Sequence, residues 1–292
     1  MKSRQAIKRM PILLALLAFI TACSTTNQPL LSTPTFFSPV PTHIPTLIPD
    51  EPTVTPQNCL TKPGVIESGK VESTYPPQEY LIYLPPCYSE KADQKYPVLY
   101  LLHGQTYTDD QWIRLGAAST LDQLITSGDA QPFIIVFPDD RYWNLAAGPG
   151  FGDRLVNALI PYIDLTYRTK ADRNHRAIGG MSRGAGWALQ LGLSHWGLFS
   201  VIGLHSLAVF KQDASRVNKW LTAIPQRAQP NIFMDIGDND PEFANVQQVE
   251  AEFNHAGIPH EWHLYKGAHT EEYWHAHILE YIEWYAEQWN NP

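Results

Sequence analysis

From residue 59 onward, short continuous apolar runs alternate with longer stretches in which apolar residues recur every three or four positions. Continuous runs suit strands covered on both faces, and the longer spacing suits helices packed over them. Residues 96–102 (YPVLYLL), 133–137, 199–204, 231–236 and 261–265 read as strands, and Ala177 with Ile178 marks another. Residues 152–167, 214–224, 243–255 and 273–289 read as helices, with Pro161 a point where the first can kink. Residues 65–71 and 78–84 come first, stopped by Pro85 and Pro86, and read as an antiparallel lead-in. The alternation predicts an α/β fold: a doubly wound, mostly parallel sheet with helices on both faces, in one domain over residues 59–292.

One strand-to-helix junction carries candidate chemistry. Residues 175–187 read HRAIGGMSRGAGW: an apolar run ends in Gly179 and Gly180, then Met181, Ser182, Arg183 and Gly184 form a turn, and helical spacing resumes at Trp187. This fits G-x-S-x-G, in which glycines on either side of a strained serine let strand and helix approach while the hydroxyl stands at the top of the sheet. Ser182 is therefore the candidate nucleophile, against the plainer reading of a glycine-rich turn with an incidental serine.

An activated serine needs a base, and the base needs an orienting acid. In doubly wound hydrolases both follow the serine, in the order acid then base, on loops at the ends of later strands. The strand ending at Ile236 runs into GDNDP, where Asp240 is favoured because the loop has cleared the sheet edge there. Asp238 in the turn and Asp235 within the strand are the alternatives, and all three suit turn-forming or helix-capping roles. The base is expected at His269, in KGAHT after the next strand, whereas His255, His260, His263, His275 and His277 fall in predicted helix or strand. Two backbone N–H groups should form an oxyanion hole: that of Arg183, at the positive end of the next helix, and that of Gln105, in the His103-Gly104-Gln105 turn after residues 96–102. Asp109 and Asp110 signal a helix start beyond that turn. Trp112, Tyr142, Trp143 and Trp274 fall in or beside loops on the same side and suit either stacking on a sugar or aryl acid, or the core. A cation at Arg183 is disfavoured by the helix dipole, so a partner is expected: Asp139, Asp140 or an anionic substrate group.

Residues 96–104 (YPVLYLLHG), 172–184 (DRNHRAIGGMSRG), 237–240 and 267–274 (GAHTEEYW) resemble the corresponding blocks of the esterase family that includes esterase D, enterochelin esterases, feruloyl and acetylxylan esterase modules and the antigen 85 mycolyltransferases. The resemblance covers most of residues 59–292. It implies an α/β-hydrolase fold, with Ser182 as nucleophile, Asp240 as acid and His269 as base, acting on ester substrates without metal or cofactor. Arg183 departs from it, since many members carry Met or Leu there, as does Ala185 in place of a second glycine. Hydrolysis of small-molecule or carbohydrate-linked esters is the leading expectation. Acyl transfer to a sugar hydroxyl, or a binding module on an inactive scaffold, are the alternatives.

The N-terminus changes the picture of where such chemistry would act. Lys2, Arg4, Lys8 and Arg9 precede an apolar run over 11–20 and then Thr21, Ala22 and Cys23. A basic start, a short apolar core and small residues make a secretion signal over 1–22, too short to remain as a membrane span. Ile20 to Cys23 also resembles the lipobox of bacterial lipoproteins, which implies lipidation of Cys23 and a tether on the outer face of the cytoplasmic membrane or the periplasmic face of an outer membrane. Residues 24–58 hold eight prolines, eight threonines and only Asp50 and Glu51 as charges, so they are expected to remain an extended spacer. With a formal net charge of −8, which grows more negative once the basic leader is removed, nucleic acid is an unsuitable partner. In an exported chain, Cys59 and Cys87 are expected to form a disulfide.

Overall fold

Short runs that are apolar at nearly every position form the central strands of the sheet. It consists of β1 (Val65–Val71), β2 (Gln78–Leu84), β3 (Val98–Leu102), β4 (Ile134–Pro138), β5 (Arg176–Met181), β6 (Val201–His205), β7 (Asn231–Gly237) and β8 (Glu261–Tyr265), in the order β1-β2-β4-β3-β5-β6-β7-β8. The β1–β2 and β2–β4 pairs are antiparallel and every other neighbour is parallel. This computed structural model describes residues 59–141 and 150–290. The expected signal segment, the tether with Cys23, and the aromatic pair Tyr142 and Trp143 lie outside the described residues.

Helices cover both faces: α1 (Gln111–Arg114), α2 (Ala117–Ser127), α3 (Phe151–Arg154), α4 (Ile160–Thr166), α5 (Arg183–Ser194), α6 (Val217–Ala223), α7 (Phe243–Ala256), α8 (Glu271–Ala276) and α9 (Ile278–Asn290). Alternate residues of the central strands feed two apolar layers, which explains why those strands are apolar throughout. Tyr100 and Leu102 pack with α3 to α7, while Leu99 and Leu101 pack with α1, α2, α8 and α9. The result is the α/β-hydrolase architecture expected from the sequence. A disulfide joins Cys59 to Cys87 across 5.1 Å between Cα atoms, tying the start of the domain to the turn after β2.

Several boundaries differ from the sequence reading, three of them with a clear physical reason. β3 begins at Val98 because Pro97 has no N–H for the ladder, and Tyr96 instead makes an isolated bridge to Thr169. The helix over 152–167 is interrupted by a π turn at Leu155–Leu159, immediately before Pro161, which cannot supply the next intrahelical donor. The closing helix is two helices. They part at His277, whose ring stacks on Tyr265 at 4.2 Å between centroids and whose Nδ1 bonds Glu280 at 3.2 Å.

Candidate active site

The turn between β5 and α5 places Ser182 at φ 53° and ψ −120°, a left-handed strain that costs of order 1–3 kcal/mol and must be held by its surroundings. Ser182 N–H donates to His205 O at 2.9 Å, while Ser182 O accepts from Ala208 N–H at 3.2 Å and Gly186 N–H at 3.0 Å. The flanking glycines are required by contact. A Cβ on Gly180 would lie 2.4 Å from the Gly184 carbonyl carbon, and one on Gly184 would lie 2.2 Å from Leu102 O.

Two later loops converge on the serine. His269 Nε2 stands 2.7 Å from Ser182 Oγ, and His269 Nδ1 stands 2.7 Å from Asp240 Oδ2. The Asp240 side chain is fully buried and accepts the Glu242 N–H at 2.8 Å through its other oxygen. Of the three competing carboxylates, only Asp240 reaches the imidazole. Asp238 is only partly buried and is committed to Lys266 Nζ at 2.5 Å and Gly267 N–H at 3.2 Å, contacts that hold its carboxyl below the ordinary range. Asp235 is buried in the sheet, where it bonds His205 Nδ1 at 2.8 Å and accepts from the Tyr273 and Tyr281 hydroxyls at 2.7 Å each. Burial, together with the adjacent Asp235 carboxylate, raises both phenols, so they remain donors. A hydroxyl, imidazole and carboxylate in this line can pass a proton from oxygen to nitrogen with the resulting charge stabilised.

The other wall of the site is the turn after β3. Gly104 N–H donates to Gln111 Oε1 at 2.8 Å, and Gly104 O lies 2.7 Å from His103 Nδ1. Asp140 N–H donates to His103 Nε2 at 2.8 Å. Gln105 is exposed, and among the described residues its N–H takes no part in the turn's hydrogen bonds. Arg183 is the first residue of α5, at the positive end of that helix.

The partner expected for Arg183 is Asp140, whose Oδ2 accepts from Arg183 Nε and Trp187 Nε1 at 2.8 Å each. Burial raises the Asp140 carboxyl above its ordinary value against the pull of these two donors. Two tryptophans are not the stacking platforms that the sequence allowed. Trp112 is fully buried with its indole N–H on Leu102 O at 2.8 Å and its ring edge-on to His205 and Tyr281 at 5.7 and 6.3 Å, so it belongs to the core. Trp274 is also buried and meets the His269 ring edge-on at 5.1 Å, so it supports the imidazole and does not face a substrate. Sequence reasoning missed Gln111 and the Asp235–His205 pair, neither of which stands in a recognisable motif. Among the described residues no group of three His, Cys, Asp or Glu side chains is arranged to hold a metal ion.

The sequence model of the family described as "Putative esterase" matches residues 73–285. The chain is similar to an endo-1,4-beta-xylanase/feruloyl esterase of Xylanibacter ruminicola, 32% identical over 192 residues, which cover 62% of this chain and 25% of that protein. It is also similar to Esterase Rv1288 of Mycobacterium tuberculosis, 31% identical over 148 residues, covering 48% of this chain and 31% of that one. The chain thus spans only about a quarter to a third of the length of these curated relatives. Among solved structures, a ferulic acid esterase superposes with a TM-score of 0.70 at 25% identity, covering 78% of this chain and 100% of the other. With the family's sequence pattern running through the elbow and both later loops, on the family's fold, the chain belongs to the esterase family.

Proposed function

We propose that the protein is a serine esterase that cleaves carboxylic esters through an acyl-enzyme on Ser182. Ser182 Oγ attacks the ester carbonyl while His269 takes its proton, and Asp240 holds the imidazole and balances its charge. The tetrahedral oxyanion is met by the N–H groups of Gln105 and Arg183. His269 then protonates the departing alcohol, and water, deprotonated by the same imidazole, releases the acid. The observation that carries this reading is the pair of 2.7 Å contacts that aligns Ser182, His269 and Asp240 across three separate loops.

Esters of aromatic acids such as ferulic acid are the proposed substrate class, supported by the feruloyl esterase relative and the similar ferulic acid esterase structure. The proposed setting is the outer face of a bacterial membrane, with Cys23 lipidated and residues 24–58 as spacer, a reading supported by the sequence pattern. A panel of feruloyl, acetyl-sugar and short aryl esters tests the substrate class. The highest kcat/KM on feruloyl esters is expected, and preference for acetyl-sugars would overturn it.

A further inference from the structure

Beneath the oxyanion turn lies a polar side chain that the proposed chemistry does not itself use. Gln111, in the first turn of α1, is 0% exposed. Its Oε1 accepts the Gly104 N–H at 2.8 Å, and its Nε2 donates to Glu271 Oε1 at 3.1 Å. Glu271 lies two residues beyond His269 and also accepts from Arg114 at 3.2 Å. A buried primary amide is suited to this place, because its oxygen can accept from a backbone N–H on one side while its NH2 donates to a carboxylate on the other.

We propose that Gln111 is a positioning residue: it sets the turn that carries the Gln105 N–H, and through Glu271 it keeps that turn in register with the loop that carries His269. The inference rests on the reading of Ser182 as nucleophile. With the Gly104 N–H committed to Gln111 and the Gly104 carbonyl to His103, the Gly104 peptide is fixed from both sides, and the next donor along the chain is the one left for developing charge. Two walls of the site that are 160 residues apart in sequence are thereby joined by a single side chain. Donors in an oxyanion hole act only when already aimed at the transition-state oxygen, so a small shift of the turn falls on kcat and spares ground-state binding.

The test compares Gln111→Met, Gln111→Glu and the double variant Gln111→Glu/Glu271→Gln with wild type. Readouts are kcat and KM on a chromogenic aryl ester and inhibition by an aryl boronic acid, which mimics the tetrahedral adduct. Gln111→Met is expected to lower kcat about 10- to 100-fold and to weaken the boronate in parallel, with KM nearly unchanged. Gln111→Glu sets two carboxylates against each other and is expected to do the same. The double variant reverses the polarity of the pair, since a carboxylate at 111 still accepts the Gly104 N–H and an amide at 271 donates to it, and most of kcat should return. Glu271→Ala, at a partly exposed residue, gives a second route should Gln111→Met fail to fold, and a parallel fall in kcat and boronate affinity is expected. Folded variants with unchanged kcat and boronate affinity, a loss of thermal stability alone, or no rescue in the double variant would overturn the proposal. Failure of wild type to form a Ser182-dependent acyl-enzyme would instead remove the reading on which it rests.

Discussion

Gly237, at the end of β7, lies so close to Gly267, after β8, that a Cβ on Gly237 would stand 2.4 Å from the Gly267 carbonyl oxygen. The loops that carry Asp240 and His269 are thus pressed together backbone to backbone, with Asn239 N–H on Gly267 O at 2.8 Å and Asp238 N–H on Tyr265 O at 2.8 Å. This contact brings an acid and a base 29 positions apart in sequence to 2.7 Å.

The division of labour between the two loop carboxylates follows. Asp240→Asn is expected to lower kcat about 10³- to 10⁴-fold, because the imidazole loses both its orientation and its counter-charge. Asp238→Asn breaks an ion pair with Lys266, whose side chain is 95% exposed, and should leave activity within a few-fold of wild type. Steady-state kinetics on one aryl ester checks both, and a reversed order would move the acid role to Asp238.

Arg183→Met leaves the buried Asp140 carboxylate without its cation, which should cost about 3 kcal/mol of stability. Because the guanidinium is held by Asp140 and lies over Trp187 and Phe210, anionic and neutral esters should be affected alike. Thermal melts and paired kcat/KM values check this, and a loss confined to anionic esters would assign Arg183 to substrate binding instead.

Much of this site was legible in the chain because its geometry is local. The glycines at 180 and 184 announce a backbone contact, and the acid and base each follow a recognisable apolar run. Arg183 at a helix start announced a missing partner, and Asp140 supplies it. The sequence left Trp112 and Trp274 open between stacking and the core, because their burial rests on packing partners outside their own helices: Leu102 O, His205 and Tyr281 for Trp112, and the His269 ring for Trp274. Gln111 and the Asp235–His205 pair carry no motif. Their roles arise from partners 7, 160 and 30 positions away, which only tertiary structure brings into contact.

Asp109 gives a pH dependence. Burial, reinforced by the neighbouring Asp139, raises its carboxyl to about 6 despite Arg141 and His103. The folded state then holds this proton where the unfolded chain has lost it, so stability falls as pH rises from the ordinary carboxylate range towards about 6, and the penalty persists above it. Asp109→Asn removes that penalty. Its melting temperature relative to wild type should climb between about pH 4 and 6 and then level off. A gain that shrinks over this interval would contradict the assignment.

Cys23→Ser should move the protein from the membrane fraction to the soluble fraction, since the proposed anchor is lipid on that thiol. Fractionation of cells expressing either form decides it, and a variant that still pellets with membranes would contradict the lipid tether.

The central claim is that Ser182 carries the acyl group. Rapid mixing with an excess of a p-nitrophenyl ester, followed by mass spectrometry of the acid-quenched protein, reads it directly. Wild type should release a burst of nitrophenol approaching one equivalent and carry the acyl mass on the peptide that contains Ser182. Ser182→Ala should keep the wild-type fold by circular dichroism while losing the burst, the adduct and at least about 10³-fold in kcat. A burst that survives in Ser182→Ala, or an adduct on another residue, would contradict the account.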